Sequence, residues 1–319
     1  MKKVLFALIA TMIGMVSISS MSYAAAPIEI FINDKRISTD TAPIWEKGSI
    51  LVPVRAVVEA LDASVVWDPE KNTVTIRKWS EVIVLTVGKK TASFQGRPRW
   101  YSEYCCEIDL STPVKRIKNR VYIPIRFLSQ HLGYQVDWKN NMVIIRSPLS
   151  ANDRTTLYEG DLQAARELMI KMSYSSMHTA QSPLEVIGNH EGFFMTYLFP
   201  EGEALRFYLI RKDIISYVEL KDDFLVASWQ AYSKDGDGIK SILEGKFGEQ
   251  RGTAPIFEKV FLYYSTGGWG DSDSQSSGRV DLEGNLTITG HKHWAGGFLT
   301  TDEGIVSLKL PEEIRSELP

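Results

Sequence analysis

A chain of 319 residues, 44% hydrophobic and 24% charged, is long enough for two domains with cores of their own. Its formal charge of −3 and the lack of any basic tract argue against nucleic acid as a partner. No apolar run beyond the N-terminus could cross a bilayer, so no transmembrane anchor is expected in the mature chain.

Lys2 and Lys3 precede an apolar run from Val4 to Val16, followed by small residues in which Ser22 and Ala24 suit the positions before a cleavage site. This pattern predicts a secretory signal peptide over residues 1–24, and hence a secreted chain, extracellular or associated with the cell wall. An uncleaved anchor is the competing expectation, but the run is short for a span of about 20 residues. Without Lys2 and Lys3 the formal charge moves from −3 to −5.

From Pro27 the segment IEIFINDKRI alternates apolar and polar residues around Asn33 and Asp34, a hairpin signal. The stretch that follows, SILVPVRAVVEALDASVVWDPEKNTVTIR (49–77), returns as RVYIPIRFLSQHLGYQVDWKNNMVIIR (120–146). One constant offset superposes Pro53 on Pro124, Arg55 on Arg126, Leu61 on Leu132 and Trp67 on Trp138. A second hairpin, VIVLTVGKKTA, precedes the second copy.

In each copy a short strand leads to a proline placed for the first position of a helix. Val54, Val57, Val58 and Leu61 then form one apolar stripe; Ile125, Leu128 and Leu132 repeat it, weakened by Ser129. Asp62 and Gly133 mark the helix ends, and a hairpin closes the unit. Trp67 and Trp138 are expected in or near the core. Arg55 and Arg126 oppose the helix dipole in the first turn, which calls for a partner: a carboxylate or carbonyl of the same domain, or an external anion.

The phrases ILVPVRAVVEALDASVVWDPEKNTVTI and RVYIPIRFLSQHLGYQVDW resemble the copper amine oxidase N-terminal domain family, over about Pro27 to Ser147. That resemblance implies a non-catalytic stalk module of antiparallel strands packed on helices, common in exported proteins of Gram-positive bacteria. It also implies a role in attachment or spacing, with a cell-wall polymer or envelope protein as partner. It does not imply oxidase activity.

Between the second hairpin and the second copy lies RPRWYSEYCC. Arg97, Arg99, Trp100, Tyr101 and Tyr104 suit sugar stacking or a protein contact, and equally a loop folded back on its own sheet. Cys105 and Cys106 are adjacent, which excludes an internal bridge of ordinary geometry. A bridge to another chain, a redox-labile vicinal pair or two reduced thiols remain open.

The polar stretch at 149–159 suggests a linker, after which Asp161 to Met172 has helical periodicity. Beyond it GFFMTYLF, ALRFYLIR, IISYVEL, FLVASWQAY, FEKVFLYYST, NLTITGH and GIVSLKL read as strands, with a second short helix at Gly238 to Gly245. The expected fold class is α+β throughout. A duplicated hairpin-strand-helix-hairpin module (27–148) precedes a second α+β domain (160–319) with a curved antiparallel sheet.

Chemistry is sparse in this half. His291 and His293 could face one side of a strand, but further metal ligands and the tyrosine triplet of an oxidase cofactor are missing, so no metal or cofactor is expected. Asp235 with Asp237, and Asp271 with Asp273, fit turns better than a calcium loop. The Ser- and Gly-rich stretch from Ser265 to Gly278 reads as a mobile surface loop.

The leading expectation is an exported, non-catalytic protein whose stalk module presents the C-terminal domain. The alternatives are an extracellular hydrolase testing His190, Glu191, His291 and His293, or a small-ligand binder using the curved sheet.

Overall fold

The computed structural model describes residues 27–95, 106–187, 192–255 and 260–317. The chain opens with β1 (Glu29–Ile32) and β2 (Lys35–Ile37), turned through Asn33 and Asp34 at φ 45° and 62°. The short β3 (Ile44–Glu46) follows. The first copied stretch then forms β4 (Ser49–Pro53), α1 (Val54–Ala60), β5 (Ser64–Asp68) and β6 (Thr73–Lys78). After β7 (Glu81–Thr86), β8 (Thr91–Gln95), β9 (Cys106–Asp109) and β10 (Lys115–Ile117), the second forms β11 (Arg120–Pro124), α2 (Ile125–His131), β12 (Gln135–Lys139) and β13 (Met142–Arg146).

β4 and β11 pair antiparallel, with Leu51 opposite Pro124, Val52 opposite Ile123 and Pro53 opposite Tyr122. Residues at equal positions in the two stretches thus exchange partners across Val52 and Ile123. Two further sheets flank this pair, in the orders β12-β13-β1-β2 and β5-β6-β7-β8-β9. In the former, β1 runs parallel to β13.

The helical stripes fall inward as their spacing predicts. Val54, Val57, Val58, Leu61, Ile125, Leu128 and Leu132 are buried with Val52, Ile76, Ile83, Ile123 and Ile145. Each such side chain contributes about 1.5–3 kcal/mol by leaving water. Pro53 and Pro124 sit one position earlier than expected. They end their strands with ψ 116° and 119° and cap the helices, where fixed φ and a missing N–H cost nothing. Both helices close alike: Ala63 donates to the Val58 carbonyl at 3.0 Å and Tyr134 to that of Ser129 at 2.8 Å. The residues between, Asp62 and Gly133, are left-handed at φ 53° and 83°.

The stretch expected as a linker is helical. α3 (Ala151–Glu159) starts at a capping box in which Ser150 and Asp153 bond each other's backbone N–H. α4 (Leu162–Ser175) follows, capped by Asp161. A single large sheet then holds β14 (Met177–Thr179), β15 (Phe193–Pro200), β16 (Arg206–Arg211), β17 (Ile214–Lys221) and β18 (Phe224–Ser233). It continues, after α5 (Gly238–Glu244), with β19 (Phe247–Arg251), β20 (Phe261–Trp269), β21 (Ser272–Val280), β22 (Leu286–Ala295) and β23 (Phe298–Gly304). The sheet curls into a half-barrel. On one face Met169 and Met172 of α4 meet Tyr197, Phe199, Phe207 and Leu209; on the other, Ile239 and Ile242 of α5 meet Tyr208, Ile215 and Trp229.

Two expectations fail here. The polar stretch taken for a loop, Ser265 to Gly278, is the end of β20, a tight turn and most of β21, and β21 is hydrogen-bonded to β20 on one side and β22 on the other. Neighbouring strands satisfy its backbone, so small polar side chains suffice. GIVSLKL is not a strand: its Leu308 and Leu310 are buried against α4 and the sheet without ladder partners.

The two halves share a core. Phe224 and Val226 of β18 belong to the hydrophobic cluster of the N-terminal module. Around them, Ser80 donates its N–H to the Thr179 carbonyl at 2.9 Å, and buried His178 and Glu81 meet at 2.9 Å. Lys78 is buried beside them, donating to the Leu61 carbonyl at 2.7 Å and to the Tyr134 hydroxyl at 2.5 Å.

Candidate functional site: a cleft on the N-terminal module

A cleft of about 520 Å³ opens beside α1, lined by residues from the start of α1, β5, the β2–β3 connection and the turn between β10 and β11. Its floor is apolar: Pro53, Val54, Val65, Trp67, Val74 and Val121. Its rim carries Asp40, Arg55, Glu59, Arg116, Asn119 and Arg120. Its volume lies within the range of small-molecule sites, and its lining mixes charged and apolar side chains.

The rim charges are unequally matched. Arg120 binds Asp40 at 2.5 Å, and this hydrogen bond holds the Asp40 carboxyl below its ordinary range. Arg55 reaches Glu59 only at 3.9 Å. Arg116 has no carboxylate partner among the described residues; its guanidinium lies 5.4 Å from the Trp67 ring centroid and donates to Asn119 Oδ1 at 3.1 Å.

The offset that relates the two copied stretches also takes β3 onto β10, and it marks an equivalent crevice beside α2. There Trp45 stands where Arg116 stands in the first crevice, 5.8 Å from Trp138. Ser49 and Ser111, bonded at 2.9 Å, replace Arg120 and Asp40. Phe127, its ring 4.3 Å from that of His131 and tilted by 31°, occupies the place of Ala56. The site beside α2 thus carries aromatic rings at the places of Arg116 and Ala56, and of the three rim arginines it keeps one equivalent, Arg126, at the place of Arg55.

Of the residues singled out from sequence, Arg55 lines the cleft, while Arg126 is exposed on α2 with no ion pair among the described residues. Trp67 is half-buried against the core as expected; Trp138, at 39% exposed, is not a core residue but half of the surface tryptophan pair. Arg97, Arg99, Trp100, Tyr101, Tyr104 and Cys105 lie outside the described residues, as do His190 and Glu191; Cys106 begins β9. Sequence reasoning missed Arg116, Arg120, Asp40 and Trp45. Extending the offset past the copied stretch would have set Arg116 against Trp45.

His291 and His293 do share a strand, β22, but each imidazole is held by a hydroxyl: Ser276 at 2.8 Å and Thr300 at 2.7 Å. Among the described residues no three His, Cys, Asp or Glu side chains gather to hold a metal. Asp237 caps α5 through the Lys240 N–H, a turn role. The strongest polar cluster in this half is structural. Arg166 and Glu313, both fully buried, form two parallel bonds of 2.8 and 2.7 Å, and the guanidinium also donates to the carbonyls of Glu203, Leu308 and Pro200.

Three small sheets around two seven-residue helices, with a cleft beside α1, make the N-terminal half a compact α+β module. Residues 31–146 match the family model of the copper amine oxidase N-terminal domain, which supports a non-catalytic, stalk-like module over this segment. No curated protein matches the chain. No helix among the described residues is long and apolar enough to cross a membrane.

Proposed function

We propose that this is an exported, non-catalytic protein whose N-terminal module attaches to or spaces from the cell envelope and presents the C-terminal domain, with a wall polymer or envelope protein as partner. The observation that carries the proposal is the match of residues 31–146 to a stalk-type domain, joined to the leader pattern at the N-terminus. The shared core at Phe224 and Val226 supports presentation in a fixed orientation, because a flexible tether would leave these side chains exposed.

That junction also dictates the test. A fragment ending near Ser147 would lose part of its own core, so the full chain is the sample. It should cosediment with purified cell walls. If it stays in the supernatant over a range of salt, attachment to a wall polymer is wrong.

A further inference from the structure

The sites on either side of the β4–β11 pair rest on the same framework and differ in the side chains that line them. Beside α2, Trp45, Phe127 and the Ser49–Ser111 pair stand at these places and one arginine, Arg126, remains; beside α1, Ala56 leaves a cleft rimmed by Arg55, Arg116 and Arg120. Exposed arginines gathered over an apolar floor contribute little to stability, as surface ion pairs do in general.

We propose that the open cleft binds an acidic sugar, a uronate residue of an extracellular polysaccharide. Its carboxylate would be held by Arg116, and its C–H face would lie on the apolar floor beside Trp67. The inference deepens the attachment proposal and rests on it for its setting. Arg116 is the rim cation without a carboxylate of its own among the described residues, and its contact with Trp67 restricts where its donor fork stands. A guanidinium fork fits a planar carboxylate with two parallel bonds. The apolar floor needs a ligand with a flat, non-polar face as well as a charge. A uronate carries both on one ring. A neutral sugar leaves Arg116 unanswered, and a glycerol phosphate polymer offers nothing to lay against Trp67.

The test is titration of the full chain with tetragalacturonate at low salt, followed by calorimetry, beside cellotetraose and polyglycerol phosphate. Saturable binding of tetragalacturonate that weakens with salt is expected, about tenfold weaker in Arg116→Ala and partly restored in Arg116→Lys. Trp67→Phe should weaken it less, and Lys240→Ala, which removes one positive charge from α5, should not change it. Thermal melts check that each variant is folded; Arg116 is exposed, so its replacement leaves the core intact.

Absence of tetragalacturonate binding overturns the proposal. So does equal binding of cellotetraose, tighter binding of polyglycerol phosphate, or indifference to Arg116→Ala. Wall cosedimentation of the same samples separates the two levels. Wall binding without tetragalacturonate binding leaves attachment standing and removes the cleft from it; loss of both removes both.

Discussion

In the C-terminal half the buried cation is Arg166, held by the Glu313 carboxylate and three backbone carbonyls. At the junction it is Lys78, which touches a carbonyl, a tyrosine hydroxyl and the faces of Trp79, Tyr134 and Phe224 at 4.6, 4.6 and 4.9 Å, with no carboxylate in hydrogen-bond reach among the described residues. The difference shows in their acid–base behaviour. Burial drives the Lys78 ammonium down to about 8, against the raising effect of Asp62, Asp222 and Glu81. For Glu313 burial pushes upward but is outweighed by the bonds from Arg166, Gly202 and Leu310, so its carboxyl is held below the ordinary value. A charge matched donor for acceptor is a lock; a charge among aromatic faces is a conditional contact.

Removing the lock should have the largest effect. Arg166→Ala leaves Glu313 buried and unpaired and should cost about 3–5 kcal/mol in urea unfolding, whereas Arg166→Met with Glu313→Leu should recover much of it. A single-variant cost no larger than that of a surface substitution would remove the contrast. The pair also sets an acid limit. The folded state holds the Glu313 carboxylate more tightly than the unfolded chain. Its stabilisation is therefore complete above the unfolded pKa and lost as pH falls through the folded one, and Glu313→Gln should erase that part of the acid profile.

Lys78 should act in the opposite range. Its folded pKa lies below the unfolded one, so the unfolded chain binds more protons between them and stability should rise as pH climbs from about 8 toward 10, by about 1–3 kcal/mol. Thermal melts of Lys78→Met should be flat across that window; a rise that persists would assign it to another group. Gly133→Ala probes the same junction by geometry, since a Cβ would stand 2.9 Å from Phe224 Cε1 at a φ of 83°. A loss of about 1–3 kcal/mol is expected. Asp62→Gly, at the equivalent position in the first copy, should cost less than about 1 kcal/mol. The smallest effect belongs to Arg146→Ala. Its bond to Asp137 is 2.8 Å, as short as that of Arg166, yet both partners are exposed and the cost should stay within about 0.5 kcal/mol.

What could be read in advance followed local periodicity. The stripe of Val54, Val57, Val58 and Leu61 after a proline specifies a helix and its inward face within a few residues, so the helix and its buried side were legible. α3 was not, because SANDRTT has the composition of a turn and its one structural signal, Ser150 with Asp153, is two residues in eleven. β21 hides for a related reason: a strand bonded on both edges needs no apolar residues to announce it. The cleft was illegible because Asp40, Trp67, Arg116 and Arg120 come from distant segments and meet only once β4 pairs with β11. Arg166 carries no local signal of its role, because its partner lies far along the chain, at Glu313.

The parallel pairing of β1 with β13 joins the strand that opens the module to the strand that closes it, from Glu29 opposite Met142 to Ile32 opposite Ile145. The chain enters at one end of this pair and leaves at the other. Tension applied through the flanking segments would therefore slide the strands lengthwise, loading all of their hydrogen bonds at once instead of peeling them one by one. The same geometry delays assembly: β1 has no partner on its β13 edge until the last strand of the module has been delivered. A polypeptide threaded outward from its N-terminus would hold its first strand waiting, then gain mechanical strength in the step that completes the fold.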